Sequence, residues 1–318
     1  MSGRNPNNLQ ELLKVCLEAS GSNDDNQTNR MNPETQQWLQ GALNSMTTSV
    51  IDEMIKCLQE LKKCLAILDN GTANDETYST IKMSVKALID YTGSLDYAQD
   101  FHKIGGFDVL KPLLAVSDSE VRSIMAEFIG ELVQNNPYCQ EMSLSMGFLK
   151  LLLERLETDT DETVRIKCLY ALSCLIRQNS EALKQFEDED GFSVLLRTMQ
   201  HPVEKLRMKS AFLLMNMCHQ TPKIGDTLYN MGFVEQLAAL LHTEHSPSHE
   251  YVVGALLALV TNSEQCRNEC QRSDLRLKEV LETRIKLLSG KEEFKEEWEY
   301  CHQILNLVFF QGNDGSER

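Results

Sequence analysis

The sequence predicts an all-α protein built from stacked helical repeats, and two observations support this fold class. A Gly-Phe pair that opens an amphipathic stretch recurs at positions 106, 147, 191 and 232, at spacings of 41, 44 and 41 residues. These spacings fall in the range of about 40 to 47 residues that is typical of armadillo and HEAT units. The 318 residues contain only 7 Pro and 16 Gly, far fewer than turn-rich all-β folds use. We therefore expect an armadillo-repeat, right-handed solenoid with N- and C-terminal capping helices.

Each unit repeats the same order: a short helix, the Gly-Phe pair, a second helix, a polar turn and a long third helix. The turns carry helix-start signals such as Ser117, Asp118 and Pro202. Pro137 and Pro222 then interrupt the chain before the next short helix. The sequence thus predicts second helices over 107–115, 148–156, 192–199 and 233–241, and third helices over 121–134, 164–177, 206–218 and 249–260.

The glycine of the pair follows the short helices that end at Ile104 and Met146. A left-handed residue often ends a helix, and glycine adopts this conformation without steric cost. We therefore expect Gly106 and Gly147 to be left-handed helix ends. The phenylalanine that follows each glycine recurs with the repeat and is predicted to be a core residue.

The same register divides the chain into four segments. Aligning Gly106 with Gly147 places Val85 on Ala126, so that the solenoid begins before the first complete unit. Capping layers at both ends are what a repeat array needs for solubility. We predict a flexible N-terminal segment with a short amphipathic helix over 1–30, N-terminal capping helices over 31–72, about four armadillo repeats plus a partial one over 73–270, and C-terminal capping helices and a tail over 271–318.

Composition and charge argue against several classes of function. The formal net charge is -16 and the isoelectric point is near 4.9, so phosphate backbones are repelled and nucleic acid is not expected as a partner. No apolar run approaches the roughly 20 residues that cross a bilayer. The ten cysteines are spread over a long chain that opens with a polar segment, which favours reduced thiols. We expect a soluble, cytosolic, monomeric protein that does not associate with a membrane.

The sequence lacks the familiar catalytic motifs. It has no Gly-rich phosphate loop and no HExxH, GxSxG or CxxC pattern, so we predict that the protein is not an enzyme and needs no cofactor. One cluster of metal-ligating residue types spans a turn between two helices, and we predict no metal site there. Its members are His242, Glu244, His245, His249 and Glu250.

The third helices of an armadillo array line its concave side, and the residues between their buried stripes form the natural contact set. We take four residues as equivalent buried positions: Ala126, Leu169, Ala211 and Ala255. The residues that follow them are Glu127, Tyr170, Phe212 and Leu256, and one turn later come Glu131, Cys174, Asn216 and Val260. Aromatic side chains on rigid helices are good interface anchors. The alternative is that Tyr170 and Phe212 pack between repeats.

Several runs of sequence resemble one known family. The runs are 37–40, which reads Gln-Trp-Leu-Gln, 190–197, which includes the third Gly-Phe pair, 209–214, and 243–247. Each is similar to the heat-shock-protein-binding proteins of animals, which are related to the yeast Fes family of exchange factors. The matches span nearly the whole chain in the same order, and they lie in long stretches that carry no catalytic motif.

This resemblance implies a co-chaperone for the 70-kDa heat-shock chaperone. Members of the family bind lobe II of the chaperone's ATPase domain in the concave face and promote ADP release. A partner that binds the opened conformation better than the closed one weakens nucleotide binding by the same coupling factor. The armadillo register and the resemblance together give the predicted contact residues: Glu127, Glu131, Gln134, Asn135, Lys167, Tyr170, Cys174, Arg177, Lys209, Phe212 and Asn216.

The N-terminal segment carries a second hypothesis. Leu9, Leu12 and Leu13 lie in a short amphipathic stretch that is followed by a polar tether. In the family such a segment is associated with release of client from the chaperone, because it resembles a client peptide. The alternative is a helix that docks on the solenoid. The sequence lacks the long Gly/Ser-rich N-terminal extension that some members of the family carry.

The competing class is an armadillo adaptor that binds extended peptides, as nuclear-import receptors do. Those receptors depend on repeated Trp and Asn residues along the concave groove. In this sequence only Asn216 occupies the Asn position, and no Trp occurs between Trp38 and Trp298. The residues therefore favour the exchange factor over the adaptor.

Overall fold

The computed structural model describes residues 33–310, with side chains from residue 50 onward, and every regular element in this part of the chain is helical. The α-helices are α1 (Pro33–Asp69), α2 (Asp75–Tyr91), α3 (Leu95–Lys103), α4 (Leu110–Leu114), α5 (Ser119–Val133), α6 (Pro137–Ser145), α7 (Phe148–Thr158), α8 (Glu162–Ile176), α9 (Ser180–Asp188), α10 (Gly191–Met199), α11 (Glu204–Gln220), α12 (Ile224–Asn230), α13 (Phe233–Leu241), α14 (Ser248–Asn262), α15 (Glu264–Cys270), α16 (Leu277–Leu288) and α17 (Lys295–Ile304). Short 3-10 turns cover Gly106–Val109, Ser273–Leu275 and Glu292–Phe294, and α17 continues into a π-helical turn, Leu305–Phe310.

The predicted all-α armadillo architecture is confirmed. The third helices are α5, α8, α11 and α14, and the second helices are α7, α10 and α13, close to the ranges expected from the repeat. The second helix of the first unit is divided into a 3-10 turn and α4. Among the described residues no helix has both the length and the apolar character needed to span a bilayer.

At the N-terminal end of the described chain one helix replaces the several that were predicted, whereas the C-terminal end has the two helices that were predicted. The sequence suggested capping helices over 31–72, and the structure has the single long helix α1 there, since this stretch contains no proline after Pro33. Met54, Leu58 and Leu61 of α1 are buried in the common core. The two C-terminal helices expected around Ser289-Gly290 are α16 and α17, with Gly290 left-handed at a φ of +77°.

The Gly-Phe pairs use their glycines for two different reasons. Gly147 and Gly232 are left-handed at φ values of +73° and +74°, as expected for a helix end. The prediction for Gly106 was wrong, because the preceding residue, Gly105, takes the left-handed conformation at +81°. A Cβ atom on Gly106 would lie 2.4 Å from the ring of Phe101. Packing against that ring, rather than backbone conformation, therefore excludes a side chain at position 106.

The phenylalanines of the pairs are core residues, as predicted. Phe107, Phe148, Phe192 and Phe233 are all buried. Phe107 meets Phe148 edge to face with ring centroids 6.2 Å apart, and Phe192 meets Phe233 in the same way at 6.3 Å. Such contacts between successive units are favourable aromatic geometries, so they align one repeat on the next.

An arginine near the start of each of three third helices closes the turn before it. Arg122 donates to the carbonyl oxygens of Val116 and Ser117 at 2.9 and 2.8 Å. Arg165 donates to the carbonyl oxygen of Leu156, near the end of α7, at 2.7 Å. Arg207 donates to the carbonyl oxygens of His201 and Pro202, in the turn before α11, at 3.0 and 2.7 Å. These turn arginines satisfy carbonyl groups that a helix end leaves free.

Arg122 also joins the first complete unit to the second. Its Nε and Nη2 donate to the two carboxylate oxygens of Asp159 at 2.7 and 2.8 Å, and both side chains are almost fully buried. Burial opposes ionisation of Asp159, but the bonds from Arg122 and from the Asp161 amide outweigh it and lower the pKa of the carboxyl group. The pair is a bidentate, desolvated link between neighbouring turns.

We expect Asp159→Ala to lower the free energy of unfolding by about 3 kcal/mol near neutral pH, because the buried guanidinium of Arg122 loses its countercharge. Urea titration followed by circular dichroism measures the change. The double variant Arg122→Met with Asp159→Ala removes both charges, and it should lose less stability than the sum of the losses of its two single variants. Losses that simply add would contradict this account.

The pH dependence of the same variant gives a second measurement. Because the folded pKa of Asp159 is depressed, its contribution is complete above the unfolded value of about 3.9 and is lost as the pH falls through the folded value. The stability difference between the unsubstituted chain and Asp159→Ala should therefore shrink on acidification below about pH 4. A difference that grows on acidification would exclude the assignment.

Candidate protein-binding surface

The helices α2, α5, α8, α11, α14 and α17 pack side by side in this order. In an armadillo solenoid these helices line the concave side, so their uncovered residues form one continuous surface. We call this surface the concave face and describe it from α2 to α17. It presents side chains from rigid helices rather than from loops, which fixes their relative positions.

Five of the contact residues predicted on or next to α5 and α8 form two sets of hydrogen bonds between these helices, which together we call the hydrogen-bonded group. Lys167 lies 2.5 Å from the Glu127 carboxylate. The Tyr170 hydroxyl donates to Glu131 at 2.8 Å and lies 3.4 Å from the side-chain oxygen of Gln134. Burial of Tyr170, together with its bond to Glu131, raises the pKa of its hydroxyl, which therefore stays protonated as the donor.

Gly130 makes this arrangement possible. A Cβ atom at position 130 would lie 2.6 Å from the ring of Tyr170 and 3.3 Å from the Cα of Ala171. The ring of Tyr170 therefore rests directly on the backbone of α5, while its hydroxyl reaches the exposed carboxylate. The two alternatives for Tyr170 are thus combined, because its ring packs between repeats and its hydroxyl lies at the surface.

The structure corrects the prediction for Cys174 and places two other residues at the edge of the face. Cys174 is only 4% exposed, and burial raises the pKa of its thiol, so it belongs to the core beneath Tyr170. Asn135 and Arg177 are exposed at the C-terminal ends of α5 and α8. Asn135 is left-handed with a φ of +53°, a conformation that asparagine tolerates better than most residues.

The residues predicted on α11 lie on the concave face. Lys209 and Asn216 are half-buried, and Phe212 is 41% exposed. The ring of Phe212 meets the ring of Tyr251 on α14 at a centroid distance of 5.4 Å and an interplanar angle of 77°. Phe212 therefore leans toward α14, whereas Tyr170 leans toward α5. Phe212 is therefore mainly a surface side chain rather than one packed between repeats.

Leu256 and Val260 of the same register do not reach the surface, contrary to expectation. Both are fully buried, because α14 is covered by the π-helical turn Leu305–Phe310 in addition to α17. The C-terminal module thus occupies the position that a further third helix would take, and it ends the concave face.

Sequence reasoning missed other residues of this face. Met83 on α2 is 70% exposed, and Lys86 is exposed one turn away. The alignment of Val85 with Ala126 already placed Lys86 on Glu127, so this signal was present in the repeat. Tyr300 on α17 had no such signal, since α17 does not share the sequence pattern of the repeats. Leu9, Leu12 and Leu13 lie outside the described residues.

The histidine cluster has a structural explanation. His245 Nε2 lies 2.9 Å from Glu297, whose other oxygen accepts from Arg284 at 2.9 Å. His249 Nδ1 accepts from the Ser246 amide at 3.1 Å, and its Nε2 lies 3.2 Å from the hydroxyl of Thr243. Glu244 and Glu250 are not part of the group.

Potential ligand atoms of His245, His249 and Glu297 lie within 4.8 Å of one another. Both ring nitrogens of His249 are nevertheless used in hydrogen bonds, and Arg284 neutralises Glu297. Burial, with the nearby charge of Arg284, lowers the pKa of His249 to about 3, so its ring is neutral. The arrangement favours a structural role, in which His245 links the turn before α14 to Glu297 of α17, over a cation site.

Comparisons with known proteins identify similar sequences and a similar fold. A model of the SIL1/FES1/HPBP1 C-terminal domain matches residues 97–227. The Hsp70-binding protein 1 of Mus musculus is 39% identical over 98% of this chain and 89% of the relative. The Hsp70 nucleotide exchange factor FES1 of Mycosarcoma maydis is 33% identical over 48% of this chain and 40% of its own length. A designed armadillo repeat protein of solved structure shares the fold, with a TM-score of 0.61 at 16% identity over 80% of this chain and 98% of that one.

The contact at Gly130 can be tested by a single methyl group. We expect Gly130→Ala to lower the free energy of unfolding by about 1 to 3 kcal/mol, because the Cβ atom overlaps the ring of Tyr170. In a Tyr170→Leu background the added cost of Gly130→Ala should be smaller. Gly93→Ala is the matched control, since a Cβ atom there would lie 3.6 Å from its nearest contact, and urea titration compares the unsubstituted chain with these four variants. An equal cost in both backgrounds would argue against the contact.

Proposed function

The chain belongs to the SIL1/FES1/HPBP1 family, and we propose that it is a co-chaperone that binds Hsp70 and promotes the release of its nucleotide. The observation that carries the proposal is the 39% identity to an Hsp70-binding protein over 98% of this chain. Relatives named as Hsp70 nucleotide exchange factors add the activity. Exchange is a coupling between two binding equilibria, so the chain needs no catalytic residue of its own.

We propose the concave face as the surface that holds the chaperone's ATPase domain, through lobe II of that domain. The proposal is supported by the mixture of exposed apolar and charged residues along α2, α5, α8 and α11. Met83 and Phe212 are large exposed apolar side chains on it, and the ion pair of Glu127 and Lys167 lies on the two helices between them. Exposed apolar anchors surrounded by polar groups are typical of protein interfaces.

The mechanism that follows is a population shift. A rigid concave face binds the open arrangement of the two lobes better than the closed arrangement, which holds ADP. Linkage then requires that ADP bind more weakly to the complex by the same factor. Rigidity is supplied by the hydrogen-bonded group on α5 and α8, because side chains that are already ordered lose little entropy on binding.

The monomeric state and the cytosolic location are also proposals. The nine cysteines of the described part of the chain are free thiols. Eight of them are buried, and burial raises the pKa values of Cys139 and Cys218 to about 12. Free, unreactive thiols are what a reducing compartment favours.

The proposal is tested by release of labelled ADP from the isolated ATPase domain of Hsp70, followed by stopped-flow fluorescence. The unsubstituted chain should accelerate release. Glu127→Lys combined with Phe212→Ala should weaken binding of the domain at least about tenfold, since it places a second positive charge beside Lys167 and removes an exposed anchor.

Matched controls separate binding from folding. Glu141→Lys reverses an exposed charge on α6, and Met231→Ala shortens a side chain that is 38% exposed away from the third helices. Both should leave ADP release unchanged, and all variants should keep their helicity by circular dichroism. Full acceleration by the doubly substituted chain would exclude this part of the concave face.

A second experiment addresses the N-terminal segment, which we propose acts on the client rather than on the nucleotide. Deleting residues 1–30 should slow release of a labelled client peptide from full-length Hsp70 and leave ADP release from its ATPase domain unchanged. The predicted reason is that Leu9, Leu12 and Leu13 compete with the client for the chaperone. Equal loss of both activities would contradict separate roles.

A further inference from the structure

Three aromatic side chains converge at the C-terminal end of the concave face. They come from three successive helices: Phe212 from α11, Tyr251 from α14 and Tyr300 from α17. Phe212 is 41% exposed, and both tyrosines are half-buried. The edge-to-face contact between Phe212 and Tyr251 leaves ring surface open to solvent.

Gly254 brings the third ring into this group. A Cβ atom at position 254 would lie 2.5 Å from the sulfur of Met215 on α11 and 3.3 Å from the ring of Tyr300. Met215 and Tyr300 therefore meet across the bare backbone of α14. The result is a fixed apolar and aromatic floor that joins three helices.

Carboxylates border this floor. Glu296 and Glu299 are exposed on α17, and Glu250 lies half-buried on α14. Burial, together with the negative charges of Glu296 and Glu297, raises the pKa of Glu250. Glu296 lies one turn before Tyr300 on the same face of α17, and Glu250 lies one turn before Gly254 on α14, so the carboxylates share a face with the aromatic floor. Burial and these carboxylates also raise the pKa values of Tyr251 and Tyr300.

These carboxylates have no cationic partner within residues 50–310. Arg284 and His245, which pack against α17, are both bonded to Glu297, and Lys295, the neighbour of Glu296 in sequence, forms no ion pair with any of the three carboxylates. At the opposite end of the concave face the carboxylates are paired, with Lys82 at 2.5 Å from Glu120 and Lys167 at 2.5 Å from Glu127. At the C-terminal end the carboxylates Glu250, Glu296 and Glu299 instead lie beside the aromatic side chains without an ion-pair partner among the described residues.

We propose that the group formed by Phe212, Tyr251, Tyr300, Glu250, Glu296 and Glu299 is a receptor for a lysine or arginine side chain on the surface of the bound ATPase domain. A cation over aromatic faces is attracted by the ring quadrupole, and it neutralises carboxylates that otherwise repel each other. An acidic or purely apolar partner would leave that repulsion in place. The inference rests on the proposed function for the identity of the partner.

The double variant Glu250→Gln with Glu296→Gln tests this receptor, and we expect it to weaken binding without lowering stability. The dissociation constant for the isolated Hsp70 ATPase domain, measured by isothermal titration calorimetry, should rise roughly three- to tenfold, with a weaker salt dependence. The melting temperature should be unchanged or higher, because the like-charge pair has been removed. A role in folding alone would lower the melting temperature and leave the affinity of the folded chain unaltered.

Glu292→Gln with Glu293→Gln is the matched control. It makes the same charge change at two exposed carboxylates in the turn before α17, and it should alter the dissociation constant less than twofold. Phe212→Leu keeps an apolar side chain but removes the aromatic face, and it should also weaken binding. Equal affinities for the unsubstituted chain and the Glu250→Gln, Glu296→Gln variant at every salt concentration would overturn the receptor and leave the exchange function intact.

A separate experiment tests the receptor if the proposed function is wrong. If the unsubstituted chain does not bind the ATPase domain, the receptor is probed with an acetylated, amidated Lys-Arg peptide by amide chemical shifts. Shifts at Tyr251, Gly254 and Tyr300 that disappear in the Glu250→Gln, Glu296→Gln variant would support a cation receptor for another partner. The absence of such shifts would exclude the receptor.

Discussion

Two glycines let neighbouring third helices approach each other closely, and the form of the concave face depends on this approach. At Gly130 the missing side chain lets the ring of Tyr170 lie on α5. At Gly254 it lets Met215 and Tyr300 meet across α14. Interiors are packed too tightly to accept an extra methyl group at such a contact without movement. The stacked phenylalanines set the spacing of the units, and the two glycines set which rings are held and which remain open.

Periodicity explains why so much of the fold could be predicted. A residue that repeats with its unit, such as Phe148, has the same neighbours in every unit, so one pattern predicts many core positions. The same register failed where the neighbour does not repeat. Leu256 occupies the same position in its repeat as Phe212. The C-terminal helix α17 helps to bury Leu256, whereas Phe212 remains exposed. The predicted exposure of Cys174 was wrong for a local reason. Cys174 lies one turn beyond Tyr170 on α8, and the ring of Tyr170 covers it.

Charge is distributed in two ways that composition does not reveal. The net charge of -16 predicts repulsion of phosphate and little else. In the structure the buried ions are paired, with Arg122 on Asp159 and Arg284 on Glu297, and each pair joins neighbouring elements. Pairings of this kind connect residues 37 and 13 positions apart, so no local sequence signal marks them. For the same reason the unpaired carboxylates beside Tyr300 could not be distinguished from an ordinary solvated surface.

The hydrogen-bonded group on α5 and α8 has one more consequence. Since Glu127 already holds Lys167, and Glu131 already holds Tyr170, a partner that contacts these residues must exchange existing bonds for new ones of equal quality. Such an exchange adds little net affinity, but a partner whose groups are misplaced by a small distance loses the old bonds without gaining the new. This part of the concave face is therefore suited to discriminating among similar surfaces, while tight attachment must come from the exposed apolar side chains around it.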